Sequence, residues 1–243
     1  MCLLYGDSFY HDKDMIIPIQ FPVLASLIRM GHKYAVQDVL DNALARLKRY
    51  YTTDFAAWQD SAARARYVLS NDIKDAFVAI ELARLTNTQS ILPTAFLECC
   101  GHMPSTFLDL PDEVRPSRLD YKDRISALSS PDLGRLFRGK VYLTRYCAAR
   151  ILRLVNEVPC SQCFAPDACA ATRSSALEFC LRGTGIRGTF DDQSAFLPLA
   201  EKFWDEDDWD QFCDRCRASS IRADNEAREQ LWDRLPNIFA LSL

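Results

Sequence analysis

Four cysteines in two closely spaced pairs are the residues of this sequence with the clearest chemical potential. Cys160 and Cys163 form one C-x-x-C pair, and Cys213 and Cys216 form another. This spacing lets both thiolates of a pair bind one ion, and two pairs together supply the four sulfurs of a tetrahedral zinc site. Residues 164–212 separate the pairs, a longer interval than in compact zinc modules. The motifs predict one structural Zn with these four cysteines as its ligands.

The same cysteines also fit a structure that holds no metal. Trp209, Phe212, Cys213 and Cys216 follow the spacing of an apolar helical stripe, and free cysteine is commonly buried as a small apolar residue. A thioredoxin-like redox site needs a βαβ pattern around the motif, which this sequence lacks. Two main interpretations therefore stay open: no cofactor and buried thiols, or one structural Zn. A disulfide or redox role is the third alternative. Further candidate ligands are Cys169 and Cys180.

Motifs that resemble catalytic signatures lack the surroundings that catalysis needs. Residues 183–188 match G-x-G-x-x-G, but residues 175–181 before them have a helical pattern where a dinucleotide site needs a strand. Cys99, Cys100 and His102 would need a third, orienting group, and packing at a helix end accounts for the two cysteines. We therefore expect no catalytic or cofactor-binding residues, and we predict that the protein is not an enzyme.

Composition and charge are those of a globular chain. The 243 residues are 49% hydrophobic and 26% charged, with a formal net charge of -4. Without a surplus of Lys and Arg to contact phosphates, nucleic acid is not an expected partner. No apolar run reaches the roughly 18 residues of a membrane span, and the first residues do not resemble a signal peptide. We expect a cytoplasmic or nuclear protein that does not bind membranes, with its cysteines reduced or metal-bound.

Apolar periodicity predicts a chain that is all-α or nearly all-α. The clearest stripe runs from Val36 to Leu47, and the C-terminal residues 238–241 are apolar enough to pack back onto the fold. Strand patterns are scarce, and Pro18 limits residues 15–19 to a short edge piece. Other predicted helices are one from Leu24 that ends near Gly31, residues 73–83, one starting near Pro93, one starting with Ser130 as N-cap and Pro131 as first residue, and residues 141–155. Predicted loops are 103–120 and 183–193.

One long segment resembles a known interaction domain. Residues 24–40 hold a leucine-rich helix, the small Gly31, then His32-Lys33-Tyr34 and a second helical pattern. This order is similar to the final helical part of a BTB/POZ domain. The later segments 79–87, 90–96, 128–133 and 232–241, together with both C-x-x-C pairs, resemble the region that follows the BTB domain in a family of basidiomycete fungal proteins.

The resemblance implies a domain organisation and a class of function. Residues 1–50 would be the C-terminal remnant of a BTB/POZ domain, 51–157 a helical post-BTB region, and 158–243 a cysteine-containing helical end. The family implies a protein–protein interaction module, an adaptor or scaffold linked to ubiquitin ligases or transcription, whose protein partners the sequence does not identify. The alternative is a zinc-stabilised regulatory protein with a structural four-cysteine site. Because most of the usual dimer surface would precede residue 1, homo-oligomerisation and cullin recruitment stay open.

Overall fold

The computed structural model describes residues 17–70, 72, 74–102, 128–156, 159–182, 195–198 and 211–241. In these residues the protein is nearly all-α, as predicted, and its two strands have two residues each. The helices are α1 (Phe21–Lys33), α2 (Gln37–Tyr50), α3 (Phe55–Gln59), α4 (Ser61–Ala65), α5 (Lys74–Leu85), α6 (Leu92–His102), α7 (Ser130–Asn156), α8 (Pro166–Arg182), α9 (Asp214–Asp233) and α10 (Leu235–Ile238). A 3₁₀ turn (Gln89–Ile91) precedes α6. No helix within the described ranges is long and apolar enough to cross a membrane.

Packing divides the chain into two compact units. Unit 1 contains residues 1–136 and 235–243, and unit 2 contains residues 137–234. The division therefore falls inside α7 and again between α9 and α10. The predicted boundaries after residues 50 and 157 come from the resemblance and from composition rather than from packing, and that organisation stays a prediction.

In unit 1, α1 and α2 form a helical hairpin that depends on one glycine. Leu24 and Ile28 of α1 and Leu47 of α2 are fully buried, so the predicted apolar stripes face the core. Helix α1 ends at Lys33, close to the end predicted near Gly31. Gly31 itself lies inside the helix, where a Cβ would meet the backbone of Leu40 at 3.1 Å. Because only glycine lacks this atom, it allows the two helices to approach closely.

The remaining core of unit 1 joins distant parts of the chain. Ile19 pairs with Val68 in a two-stranded parallel sheet, and this strand (Ile19–Gln20) overlaps the predicted extended piece 15–19 at one residue. Residues 15 and 16 of that prediction lie outside the described residues. Near the C-terminus, the Phe239 ring stacks on the Phe96 ring of α6 at 5.2 Å between centroids. The predicted packing of the C-terminal residues onto the fold is thereby confirmed.

The start of α7 is held by a capping arrangement and an ion pair within unit 1. Ser129, not Ser130, lies before the first helical residue, and its hydroxyl accepts the Asp132 N–H at 3.3 Å. Arg84 of α5 donates to both carboxylate oxygens of Asp132, at 3.2 and 2.6 Å. Burial alone would raise the pKa of Asp132, but bonds from Arg84 and Ser129 and the nearby charge of Arg135 outweigh it and lower that pKa.

In unit 2, polar side chains of α7 join it to α9. The Arg150 guanidinium pairs with Asp224 at 2.8 Å and also donates to the Ala195 carbonyl. The Tyr146 hydroxyl donates to the Ala227 carbonyl at 2.8 Å.

The predicted helix over residues 141–155 is the second part of α7. The predicted loops 103–120 and 183–193 lie outside the described residues.

Candidate metal centre

The first cysteine pair lies on a tight turn before α8. The Cys163 N–H donates to the Cys160 carbonyl at 2.9 Å, which closes the turn. Shortly after it α8 begins with Pro166, a residue that suits the first helical turn because it has no N–H to leave unpaired. The Cys169 N–H bonds the Ala165 carbonyl at 3.0 Å, so the first turn of α8 places Cys169 next to the pair.

The second pair forms the start of α9. Cys213 is the N-cap residue in an extended conformation, and its sulfur accepts the Cys216 N–H at 3.4 Å. The C-x-x-C spacing therefore places one thiol before the helix and the other in its first turn. The apolar helical stripe predicted from residue 209 does not form as such, because the helix begins at Asp214. Trp209 itself lies outside the described residues.

Four thiol sulfurs of unit 2 converge on one point. Those of Cys163, Cys169, Cys213 and Cys216 all lie within 4.8 Å of one another. The Cys163 sulfur is 3.6 Å from the Cys169 sulfur and 3.6 Å from the Cys213 sulfur. A tetrahedral site with Zn–S bonds of about 2.3 Å has sulfurs about 3.8 Å apart. Four cysteines thus stand at separations from which they could bind a metal with small adjustments.

Cys160 lies beside this group rather than in it. Its sulfur is 3.6 Å from the Cys216 sulfur, and its backbone N–H donates to that same sulfur at 3.4 Å. Three of the four predicted ligands therefore belong to the converging group, and Cys169, named as a further candidate, completes it. The ligand role of Cys160 stays a prediction. The side chain of Cys180, the other candidate, lies outside the described residues.

Each of the four converging sulfurs accepts at least one backbone N–H bond. Such bonds favour a thiolate over a thiol, because the N–H dipole points its positive end at the sulfur. Cys213 accepts two of these bonds, and it also precedes the first residue of a helix whose N-terminal dipole favours negative charge. The N–H donors are Ala165 to Cys163, Cys213 to Cys169 at 3.3 Å, Cys216 and Phe164 to Cys213, and Cys160 to Cys216.

These bonds and burial act in opposite directions on the four thiols. Backbone N–H bonds from Cys216 and Phe164 lower the pKa of Cys213 to about 6. Burial raises the pKa of Cys216 to about 12, and it also raises the pKa values of Cys163 and Cys169. Four negative charges so close together repel one another, and a divalent cation is the group that offsets them. Without such a cation the thiols of this group cannot all be ionised near neutral pH.

Two arginines hold the cysteine-bearing segments in place, and Arg173 of α8 is the buried one. It donates to the Leu154 carbonyl at 2.7 Å and to the Ser220 hydroxyl at 2.9 Å. Its guanidinium also lies 5.4 Å from the ring centre of Phe212, the residue before Cys213. These contacts join the end of α7 to α8 and α9, which fixes the separation of the converging cysteines.

Arg215 performs a similar role at the surface. It donates to the Gln162 side chain at 2.6 Å, and its guanidinium lies 4.6 Å from the ring centre of Phe164. Gln162 belongs to the turn of the first cysteine pair and Phe164 follows it, whereas Arg215 lies in the first turn of α9. The turn and the helix start are therefore clamped together independently of any ion.

The other sequence motifs do not form a site in the described residues. Cys99 and Cys100 are fully buried at the end of α6, where burial raises the pKa of Cys99 well above its ordinary value. The side chain of His102 and the G-x-G-x-x-G segment 183–188 lie outside the described residues. As predicted, the residues before that segment form a helix and not a strand, and this helix extends through Arg182. The expectation of a non-enzymatic protein stays a prediction.

Comparison with known proteins found no matching protein-family model, no matching curated protein and no matching solved structure. The resemblance to BTB/POZ proteins accordingly rests on the sequence segments alone and stays a prediction.

Proposed function

We propose that this chain is a zinc-stabilised protein-interaction module that holds one structural Zn²⁺ through Cys163, Cys169, Cys213 and Cys216. The observation that carries the proposal is the convergence of four sulfurs within 4.8 Å, each of which accepts a backbone N–H bond. Thiolates are soft ligands that select zinc among the abundant divalent cations. Four protein ligands leave no open coordination position, so the role of the ion is structural rather than catalytic.

The proposed ion connects three parts of unit 2, and the third is distant in sequence from the first two. These are the turn at Cys163, the start of α8 at Cys169, and the start of α9 at Cys213 and Cys216. Because the unfolded chain does not hold these thiols together, the free energy of zinc binding adds directly to the free energy of folding. Unit 2 then keeps a defined surface through this cross-link, which suits a module that acts by binding proteins.

Metal analysis tests the proposal. The full chain is purified under reducing, oxygen-free conditions and its zinc is measured by mass spectrometry. We expect about one zinc per chain, lost in Cys163→Ser and Cys169→Ser and kept in the control Cys147→Ala, whose buried thiol lies in α7 outside the converging group. A wild-type chain without metal, whose ten cysteines all react with a thiol reagent after denaturation, would refute it.

The adaptor role implied by the BTB/POZ resemblance is a second proposal, supported by apolar side chains on α7. Phe137 is 42% exposed and Val141 is 50% exposed, one helical turn apart on the same face. Apolar side chains grouped on a surface mark sites of protein association. Affinity purification should therefore recover partners with the wild type that Phe137→Asp/Val141→Asp does not recover. An unchanged set of partners would contradict this role for the α7 surface.

A further inference from the structure

The cysteine cluster of unit 2 contains a fifth thiol that the proposed zinc site does not need. The Cys160 sulfur lies 3.6 Å from the sulfur of Cys216, one of the four proposed ligands. The Cys160 N–H also bonds to the Cys216 sulfur, which keeps the two residues side by side. Within the part of the chain that the structure describes, Cys160 is outside the group whose sulfurs lie within 4.8 Å of one another.

We propose that Cys160 is an oxidation site: hydrogen peroxide joins it to Cys216 in a disulfide, and this removes one ligand and releases the zinc. The inference rests on the proposed zinc site and adds its regulation. In the net reaction the Cys160 thiol, the Cys216 thiolate of the proposed site, one H₂O₂ and one proton from solvent give one disulfide and two H₂O. The O–O bond, the S–H bond of Cys160 and the bond from Cys216 to the ion break, an S–S bond and two O–H bonds form, and two electrons pass from sulfur to oxygen.

The step proceeds through a sulfenic acid. The Cys160 sulfur attacks one peroxide oxygen and becomes Cys160–SOH, while the other oxygen leaves as water after taking a proton. The neighbouring Cys216 sulfur then leaves the ion, displaces the hydroxyl group of that sulfenic acid and forms the S–S bond. The displaced hydroxyl group takes a proton from solvent and leaves as the second water. Condensation of a sulfenic acid with an adjacent thiol is the ordinary course of such oxidation.

Exposure and coordination single out Cys160 as the first sulfur to react. Cys99, Cys100 and Cys147 are fully buried, whereas Cys160 is half-buried and within reach of a dissolved oxidant. The sulfurs of the other two half-buried cysteines among the described residues are bound to the ion in the proposed site; they are Cys163 and Cys213. Oxidation by peroxide requires access to the sulfur, and coordination to an ion withdraws a thiolate from attack. Cys160 is accessible, lies outside the proposed ligand set and has a partner sulfur at 3.6 Å.

Loss of Cys216 from the coordination shell leaves three thiolates to hold the ion. Metal affinity in such sites depends on the complete ligand set, and the released sulfur can no longer return while the disulfide persists. Unit 2 would therefore lose its cross-link under peroxide and regain it on reduction. The same pair of residues would couple the oxidation state of the surroundings to the stability of this unit.

The test uses the zinc-loaded full chain, treated with hydrogen peroxide in the presence of a chromophoric zinc chelator. We expect the wild type and the control Cys147→Ala to lose about one zinc per chain, with a Cys160–Cys216 disulfide in the peptide map. Cys160→Ala and Cys160→Ser should bind zinc like the wild type and retain it over the same time. A reducing agent should restore zinc binding in the oxidised wild type.

The outcomes separate this inference from the proposed zinc site. Zinc missing from the reduced wild type, before any peroxide is added, overturns the proposed site. The oxidation site alone is overturned if zinc-loaded wild type and Cys160→Ser release the ion at the same rate. It is also overturned if the disulfide joins other cysteines, or if both Cys160 variants fail to bind zinc while circular dichroism shows them folded, because Cys160 is then a ligand.

Discussion

Replacement of Cys169 by serine should weaken zinc binding far more than replacement of Cys160. The sequence pairs Cys160 with Cys163, but in the structure Cys169 completes the converging group and Cys160 stands beside it. Serine keeps the size of the side chain and removes the soft sulfur, so the two variants differ in which thiol they lack. The comparison thus tests the ligand set and not merely the presence of cysteines.

The expected magnitude follows from the number of ligands. Structural zinc sites in small domains bind with about 10–16 kcal/mol, or roughly 2.5–4 kcal/mol for each of four sulfurs. Since each 1.4 kcal/mol is about a tenfold change, loss of one ligand raises the Kd for zinc by about two to three orders of magnitude. The Cys163 sulfur lies 3.6 Å from the Cys169 and Cys213 sulfurs, which is already close to the separation in a four-sulfur site. Rearrangement of the ligands therefore reduces the free energy of zinc binding only slightly.

Competition with a chelator of known affinity measures this difference under reducing conditions. Cys169→Ser should lose its zinc to the chelator at concentrations where the wild type keeps it, and Cys160→Ser should behave within a few-fold of the wild type. Thermal unfolding followed by circular dichroism serves as the control for folding. The reverse order, with Cys160→Ser losing zinc and Cys169→Ser retaining it, would refute the assignment and favour the ligand set expected from the two C-x-x-C pairs.

Three further substitutions test the packing that surrounds the site and the hairpin of unit 1. Asp224→Ala should cost about 3–5 kcal/mol in urea unfolding, because it removes the carboxylate that pairs with the buried Arg150 charge; a loss below about 1 kcal/mol would show that the pair matters little. The Asp132 carboxylate stabilises the wild type above pH 3.8, and this stabilisation is lost as the pH falls through the lowered pKa of Asp132. Asp132→Asn should remove it, so that the free energy of unfolding of the variant changes less with pH in acid. Identical acid-unfolding profiles would contradict this prediction. Gly31→Ala should cost a net of about 1 kcal/mol, because overpacking by about 1–3 kcal/mol, with its Cβ 3.1 Å from the backbone of Leu40, exceeds a gain of about 1 kcal/mol in helix propensity. An unchanged or raised melting temperature would show that Leu40 shifts at little cost.

Much of the helical framework could be predicted from local periodicity. The stripe from Val36 to Leu47 and the helix over residues 141–155 repeat every 3.6 residues, and a periodic apolar face specifies both the helix and the side that it buries. Helix ends depend on finer chemistry. The helix end predicted near Gly31 lies at Lys33, and Gly31 itself lies inside α1, where close packing on Leu40 favours a residue without a Cβ.

The cysteine cluster shows the limit of motif spacing. The two C-x-x-C pairs could be seen in the sequence, because each pair is a local pattern on a turn or helix start. Cys169 belongs to no familiar spacing; it joins the group because α8 begins at Pro166 and its first turn returns to Cys163. The signal available in the sequence was Pro166 followed by Asp167, a pair that is typical of a helix start. These segments are brought together by tertiary packing around Arg173, and no local sequence pattern predicts that packing.

Zinc K-edge X-ray absorption on the reduced full chain, combined with elemental analysis, measures both the amount of zinc and the elements that bind it. We expect about one zinc per chain, bound by four sulfurs at about 2.3 Å with no lighter ligand in the first coordination shell. A chain without zinc, or an ion bound by nitrogen or oxygen in place of any of the four sulfurs, would contradict the proposed site.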